Sequence, residues 1–263
     1  LQHIKVDLPD INLSAVDFKP VAKENKILFG LGGLKGVSTD YFKTIIAGRP
    51  YKNFKDFYDR IELPTTQVIA LIKSGAFNKI EEGKNRRDIL MDYFGYEMDK
   101  NPSYNKEKIT MANFSKIANS SNIPDILKPL CKLYYYKEYL EDNTKDSDKQ
   151  NYVISEEVPV RFFVLNCKPL FDKDTKLAGE YKEVEGCYVI SIKGFKKVYD
   201  KRMEELKTWL QTPEASKIYN DQVRSDYVRT LMDKYCQGSI ASWEMDTVGY
   251  YSDKHELEGI VLP

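Results

Sequence analysis

The spacing of apolar residues changes several times along this chain. Over residues 1–25 it is irregular, and Pro9 and Pro20 interrupt any helix. An extended lead-in is expected there, with Pro9-Asp10-Ile11-Asn12 as a turn. From 26 to 95 the pattern becomes helical in short stretches punctuated by glycine and proline. Residues 27–34 are apolar and contain Gly30, Gly32 and Gly33, so they read as a first helical stretch where two backbones come close. Ser38 or Thr39 can cap a helix reaching about Ala47, with Tyr41, Phe42, Ile45 and Ile46 inward and Gly48 as its stop. Asn53 caps a second helix that buries Phe54, Phe57 and Ile61, and Pro64 opens a third that buries Val68, Leu71 and Ile72. Ser74-Gly75-Ala76-Phe77 is a tight turn. A fourth helix is predicted from about Asn85 to Phe94, with Ile89, Leu90, Tyr93 and Phe94 inward.

Beyond 95 the pattern is more polar. Helical pieces are expected near 110–119 and 125–141, the second holding Tyr134, Tyr135 and Tyr136, and residues 141–150 contain no apolar residue and read as an exposed linker. Two β-prone runs, 158–166 and 185–193, flank the turn-rich segment 171–180; they suit a hairpin, although either run also suits a buried helix. Residues 194–236 read as helical with a boundary at Pro213, and 239–257 as one more amphipathic helix with a polar exit. Tyr134–136 read as core packing rather than a surface for stacking bases, and Trp209 and Trp243 as core anchors. The resulting fold class is mainly α, a tandem hairpin module plus a helical second module with a small β element. The expected division is 1–25 lead-in, 26–95 hairpin module, 96–150 helical connector and linker, and 151–263 a mixed, mostly helical module.

The chain has 263 residues, room for one large or two modest domains. Forty Lys and Arg balance forty Asp and Glu, so net charge alone points to no partner. Their distribution says more. Residues 26–87 hold twelve basic and six acidic side chains, a surplus of +6 that leaves −6 for the rest, so a basic module joined to an acidic one is expected. No apolar window is long enough to cross a membrane. The first residue is not Met, and charges stand where a signal peptide needs an apolar core; the start reads as the edge of an excised or processed chain, and a cytoplasmic location is expected. Cys131, Cys167, Cys187 and Cys236 are far apart, which suits reduced, buried or half-buried thiols. With His3 and His255 as the only histidines, no zinc site is expected.

The informative feature is an internal echo. Two units, 28–47 and 65–94, each read as a helix, a glycine turn followed by an apolar residue, and a second helix: Leu34-Lys35-Gly36-Val37-Ser38 in one, Ser74-Gly75-Ala76-Phe77 in the other. A glycine lets such a turn lie flat against a ligand, and free N–H groups at the turn and the next helix start attract anions. The expected backbone contacts are Lys35, Gly36, Val37 and Ser38, and Ser74, Gly75 and Ala76. The expected side-chain contacts are Lys35, Lys43, Lys73, Lys84 and Arg86. Two grips of this kind would hold the strands flanking a minor groove by their phosphates and read no bases. The same pattern also serves as ordinary helix hairpins with no ligand.

Residues 5–94 resemble the tandem helix-hairpin-helix region of the bacterial DNA polymerase III alpha subunit. The blocks carrying the resemblance are Lys5-Val-Asp-Leu-Pro-Asp-Ile-Asn-Leu-Ser14, Ile27-Leu-Phe-Gly-Leu-Gly-Gly-Leu-Lys-Gly-Val37, Phe54-Lys-Asp-Phe57 with Arg60, Leu71-Ile-Lys-Ser-Gly-Ala-Phe77 and Asn85-Arg86. Trp243-Glu-Met-Asp, Val248-Gly-Tyr-Tyr251 and His255-Glu-Leu257 resemble the segment that closes this region in that family, whereas about 96–193 does not match it. The resemblance implies a grip on duplex or primer–template DNA during replication, with other replisome subunits as further partners.

The resemblance supplies no active site here. The family's metal-holding palm aspartates have no counterpart, Asp172 and Asp174 read as a solvated turn, and no catalytic residue, metal ligand or cofactor is assigned to this chain. Mg²⁺ is expected only in a separate palm domain. Gln150, Gln211, Gln222 and Gln237 lack the Leu and Phe of a sliding-clamp peptide and Lys168-Pro-Leu-Phe171 matches it poorly, so clamp binding is left without support. His255 beside Asp253 and Glu256 reads as a surface histidine, and the catalytic aspartate of helix-hairpin-helix glycosylases has no counterpart. The expectation is a non-catalytic, sequence-nonspecific DNA-binding region. Its rivals are a replisome interaction scaffold that does not touch DNA and a hidden hydrolase or nuclease.

Overall fold

The computed structural model describes residues 4–146 and 150–252, so His3, His255 and the rest of the expected polar exit lie outside the described residues. The protein is mainly α. It folds as two compact units, the first formed by the chain up to Pro102 together with the chain from Arg224 onward, the second by Ser103–Val223.

The first unit begins with strands β1 (Lys5–Asp7), β2 (Lys19–Val21) and β3 (Lys26–Leu28) in the order β1-β3-β2, with β1 parallel and β2 antiparallel to β3. The lead-in is therefore extended, but it is also sutured into the core. The Asp10 carboxylate accepts from the amides of Asn12 (2.8 Å) and Leu13 (3.1 Å), which makes the expected turn. The Ser14 hydroxyl donates to the Phe29 carbonyl (2.7 Å), and Ile11, fully buried, donates its amide to Ala76 (2.8 Å).

Residues 27–34 do not form the expected helix. They continue from β3 into one 3₁₀ turn at Leu31–Gly33, because Gly30 and Gly32 lie against the Val16–Asp17 backbone, where a Cβ on Gly30 would sit 2.5 Å from a main-chain carbon. The close approach expected of these glycines is thus real, and the Leu31 and Gly32 amides bond across it to Ala15 and Val16.

Four helices follow: α1 (Phe42–Ala47), α2 (Phe54–Arg60), α3 (Thr65–Lys73) and α4 (Arg86–Asp99). A 3₁₀ turn, Thr39–Tyr41, leads into α1. Asn53 caps α2 by accepting from the Asp56 amide (2.8 Å), and Asn85 and Asp88 form a reciprocal capping box on α4, worth about 1 kcal/mol. Gly48 closes α1 without a left-handed turn; it is needed for space, since a Cβ there would collide with the Tyr51 hydroxyl. The inward residues are those the periodicity names, and Phe77, from the second turn, packs edge-on against Phe54 and Phe57 at 5.0 Å each.

In the second unit, α5 (Met111–Phe114) and α6 (Lys128–Asn143) fall where helical pieces are expected. The polar segment after 140 is not all linker: α6 runs on to Asn143, and Thr144 is buried with its hydroxyl on the Leu140 carbonyl (2.9 Å). Strand β4 (Asn151–Ile154) pairs antiparallel with β6 (Cys187–Ser191), which pairs antiparallel with β5 (Tyr181–Val184), numbering the strands in chain order. Of the two β-prone runs, only the second enters the hairpin. The first is helix α7 (Glu157–Asn166), because Pro159, Phe163 and Cys167 recur every four residues and bury together while Val158 and Leu165 stay exposed.

Short helix α8 (Lys168–Asp172) buries Phe171, and α9 (Ile192–Trp209) and α10 (Pro213–Tyr235) meet at the expected Pro213 break; the boundary between units at 223/224 falls within α10. Tyr136 is buried, its hydroxyl donating to Pro159 (3.2 Å), whereas Tyr134 and Tyr135 are half-buried. Trp209 is only half-buried, its indole N–H donating to Glu214 (3.1 Å), so of the two tryptophans Trp243 alone is a core anchor. All four cysteines are free thiols, three buried and Cys187 half-buried; burial pushes Cys167 up to about 12.

The last described helix, α11 (Ile240–Thr247), belongs to the first unit, where Trp243 joins the core. This placement corrects the expected charge division. Residues 103–223 hold twenty basic and nineteen acidic side chains, +1, so the acids that offset the +6 of residues 26–87 lie within the first unit itself.

Candidate nucleic-acid interface

The two glycine turns share a backbone geometry and differ in what surrounds them. Gly36 has φ +86° and Gly75 +84°, conformations that only glycine adopts without strain.

In the first turn, Gly36 is exposed, and Val37 is buried as the apolar pin that the motif requires. The Lys35 amide donates to the Thr247 carbonyl at the end of α11 (2.9 Å), and the Ser38 amide donates to the Gln67 side chain on α3 (3.0 Å). Those two N–H groups, expected to face a ligand, instead brace the turn. The amides of Gly36 and Thr39 have no acceptor among the described residues, and the Val37 amide only closes the Lys35–Gly36 turn loosely. Ser38 caps the following turn by accepting weakly from the Asp40 amide (3.4 Å). The Lys35 and Lys43 side chains are exposed, and neither makes an ion pair with a described residue.

The second turn is closed. The amides of Ser74, Gly75 and Ala76 donate to the Ala70, Ile72 and Leu71 carbonyls at 2.9, 3.0 and 3.3 Å, the hydrogen-bond pattern of a Schellman cap on α3. The Ser74 hydroxyl donates to Leu71 (2.8 Å), and all three residues are buried. The roof is a buried ion pair. Arg86 donates to Glu244 (2.6 Å) with side chains 5% and 2% exposed, and its other nitrogens reach the Lys73 carbonyl (2.9 Å) and Asn78 (3.4 Å). Glu244 also accepts from the amide and hydroxyl of Ser252 (2.7 and 2.8 Å), which completes the satisfaction a buried carboxylate needs.

These contacts correct the expected roles. Ser74, Gly75 and Ala76 present no free amide, and Arg86 faces a carboxylate rather than solvent, because helix capping and burial claim the groups first. Lys73 lies 4.9 Å from the Trp243 ring with the Arg87 guanidinium 4.8 Å from the same ring, and burial holds the Lys73 ammonium below the usual lysine range. Lys84 is exposed but clamped between Asp92 (2.8 Å) and Glu81 (3.1 Å), whose hydrogen bonds raise its pKa. Sequence reasoning missed Thr39 as a free amide and Gln67 and Thr247 as braces; the braces have no local signature, since both arrive from distant helices. Among the described residues no group of three or more His, Cys, Asp or Glu side chains is placed to hold a metal ion. No helix of the described residues is long and apolar enough to cross a membrane.

Residues 3–89 match the helix-hairpin-helix motif family. The chain is 31% identical over 264 residues to a probable DNA polymerase, YorL, of Bacillus subtilis, and equally to a DNA-directed DNA polymerase of Bacillus phage SPbeta; each alignment covers 98% of this chain and 19% of the relative. The DNA polymerase III subunit alpha of Aquifex aeolicus is 39% identical over 89 residues, 31% of this chain and 7% of that protein. No solved structure matches the chain significantly. The chain thus spans about a fifth of the length of these two relatives (19%). Its first unit carries a helix-hairpin-helix region. That region is similar to the DNA polymerase III alpha subunit, and the similarity to the two Bacillus and phage polymerase sequences continues across nearly the whole chain.

Proposed function

We propose that the first unit holds duplex or primer–template DNA by its sugar–phosphate backbone through the first turn alone, and that this chain contributes positioning rather than chemistry. The observation that carries this reading is the contrast at the turn: two amides without acceptors among the described residues, at Gly36 and Thr39, beside Lys35 and Lys43, which pair with no described acid, in the stretch matched to the helix-hairpin-helix family. Amide hydrogens and lysine ammonium groups recognise phosphate oxygens and carry no base code, so the grip is indifferent to sequence. The second hairpin acts as the anvil. Its helix α3 holds Gln67 against Ser38, and its capped turn and the Arg86–Glu244 pair seat α11, whose Thr247 holds Lys35. In this reading nucleotidyl transfer, with its Mg²⁺, belongs to other parts of the longer polymerases.

The test is anisotropy of a labelled duplex titrated with the protein at several salt concentrations. Replacing both Lys35 and Lys43 by Ala should flatten the log–log salt dependence by about 2, one counterion per lost phosphate contact, with unfolding unchanged. An unaltered slope with unaltered affinity would refute the first-turn grip and favour the interaction-scaffold reading.

A further inference from the structure

The second unit contains a cleft that the hairpin reading does not use. It has a volume of about 740 Å³ and lies between the face of α9 that presents Lys197, Val198, Lys201, Arg202 and Glu205 and the loop 173–177 that follows α8. The α9 positions are i, i+1, i+4, i+5 and i+8, a single helical stripe, so Lys197 and Lys201 stand about 6 Å apart along the axis, on the order of one nucleotide step. The facing loop adds Lys173 and Lys176. It is a fixed wall rather than a loose one. Lys173 and Asp174 donate their amides to Pro169 and Phe171 (3.3 and 3.2 Å), the Leu177 amide donates to Asp174 (2.8 Å), and Leu177 is buried.

Five cations, Lys173, Lys176, Lys197, Lys201 and Arg202, therefore line one cleft; all are exposed and none forms an ion pair among the described residues. Two acids line it with them, and one, Asp174, is already turned into its own loop, accepting from the Lys176 amide (3.0 Å). This concentration occurs in a unit whose net charge is only +1, so the cations are gathered at one place rather than spread with the composition. The floor is Leu170, Leu177 and Val198, and no aromatic ring lines the cleft.

We infer that this cleft is an anion site for a run of phosphates, and that its occupant is the backbone of a single nucleic-acid strand. Repeated cations on two fixed walls fit a ligand with repeated negative charge. A cleft of this size takes in a short length of one strand, and without rings it reads backbone and not bases. The anion site stands on the cleft itself, whereas the choice of a nucleic-acid strand as occupant rests on the polymerase reading of the first unit.

The experiment uses the full chain and labelled oligo(dT) and duplex of equal length. The parent is compared with a K197Q/K201Q/R202Q variant, a K173Q/K176Q variant from the opposite wall, the Lys35/Lys43 double alanine, and a K193Q/K196Q control that removes exposed charge from α9 outside the cleft. The α9 cleft variant should lose about tenfold in oligo(dT) affinity at low salt and flatten the salt slope by about 2; the opposite-wall variant should shift both in the same direction, and the control should not. The Lys35/Lys43 variant should keep its oligo(dT) affinity, so failure of the first-turn grip appears in the duplex arm and failure of the cleft in the strand arm. Parent-like oligo(dT) binding by both cleft variants overturns the inference. So does a loss confined to inorganic tripolyphosphate, which would assign the cleft to a small polyphosphate, or an equal loss in the control.

Discussion

The two turns of the first unit have nearly the same glycine conformation and opposite fates. Around Gly36 the described residues leave amides without acceptors and lysines without ion pairs; around Gly75 the amides of Ser74, Gly75 and Ala76 cap α3 and the adjoining cation is sealed against Glu244. A shared local motif therefore does not make two equivalent sites. What separates them is whether the neighbouring chain covers the turn or props it from behind.

The sharpest way to break this contrast is at the roof of the closed turn. Glu244→Ala leaves the Arg86 guanidinium buried without its counter-charge and should cost about 3–5 kcal/mol, read by urea unfolding followed at Trp243 in a Trp209→Phe background. A cost below about 1 kcal/mol, the range of surface pairs, would mean the second turn is not sealed as described.

A smaller effect compares the glycines. Gly36→Ala should cost about 1–2 kcal/mol, mainly from the left-handed backbone, with one tight contact, its Cβ lying 3.3 Å from Ala70. Gly75→Ala carries the same backbone cost plus a collision, its Cβ falling 2.7 Å from the Arg86 guanidinium, so it should be the more destabilising of the two by thermal unfolding. Equal costs would erase the distinction between an open and a filled turn.

The smallest effect concerns Lys84. Its pKa is raised by Asp92 and Glu81, so its contribution to stability is complete below the unfolded lysine value near 10.4 and is lost as pH rises through the higher folded value. The pair is largely exposed, which keeps the contribution under about 1 kcal/mol. Lys84→Ala should thus lower the melting temperature slightly at pH 8 and not at strongly alkaline pH. It should also change the salt slope of DNA binding less than Lys43→Ala, because its charge is already matched.

The helices of the hairpin module were legible because their caps and the spacing of their inward residues are local: Asn53 and Asn85 each cap their own first turn, and Phe54, Phe57, Leu71 and Leu90 mark the buried face of their own helices by spacing alone. The glycines of both turns were legible for the same reason. Residues 27–34 misled because apolar spacing there suits a helix, while the deciding contact is backbone against backbone with Val16 and Asp17, which no periodicity records. The run 158–166 was ambiguous because β-branched and aromatic content favours a strand, and only burial of Pro159, Phe163 and Cys167 on one side settles it as a helix. At the first turn, the positive φ of Gly36 and the buried pin Val37 were readable from the motif. The occupation of Arg86 by Glu244 was not, since the partner lies 158 residues away.

That separation bears on how the protein is made. The hairpins leave the ribosome long before α11, and the ribosome adds roughly 5–20 residues per second, so the socket for Trp243 and Glu244 stands vacant for roughly 8–30 s during synthesis. Throughout that interval Arg86 lacks Glu244 and Lys35 lacks Thr247. A chain truncated before residue 240 would accordingly carry the Gly36 bend on a half-built mount, and α11 works as a keystone that sets the mount only once it has been made.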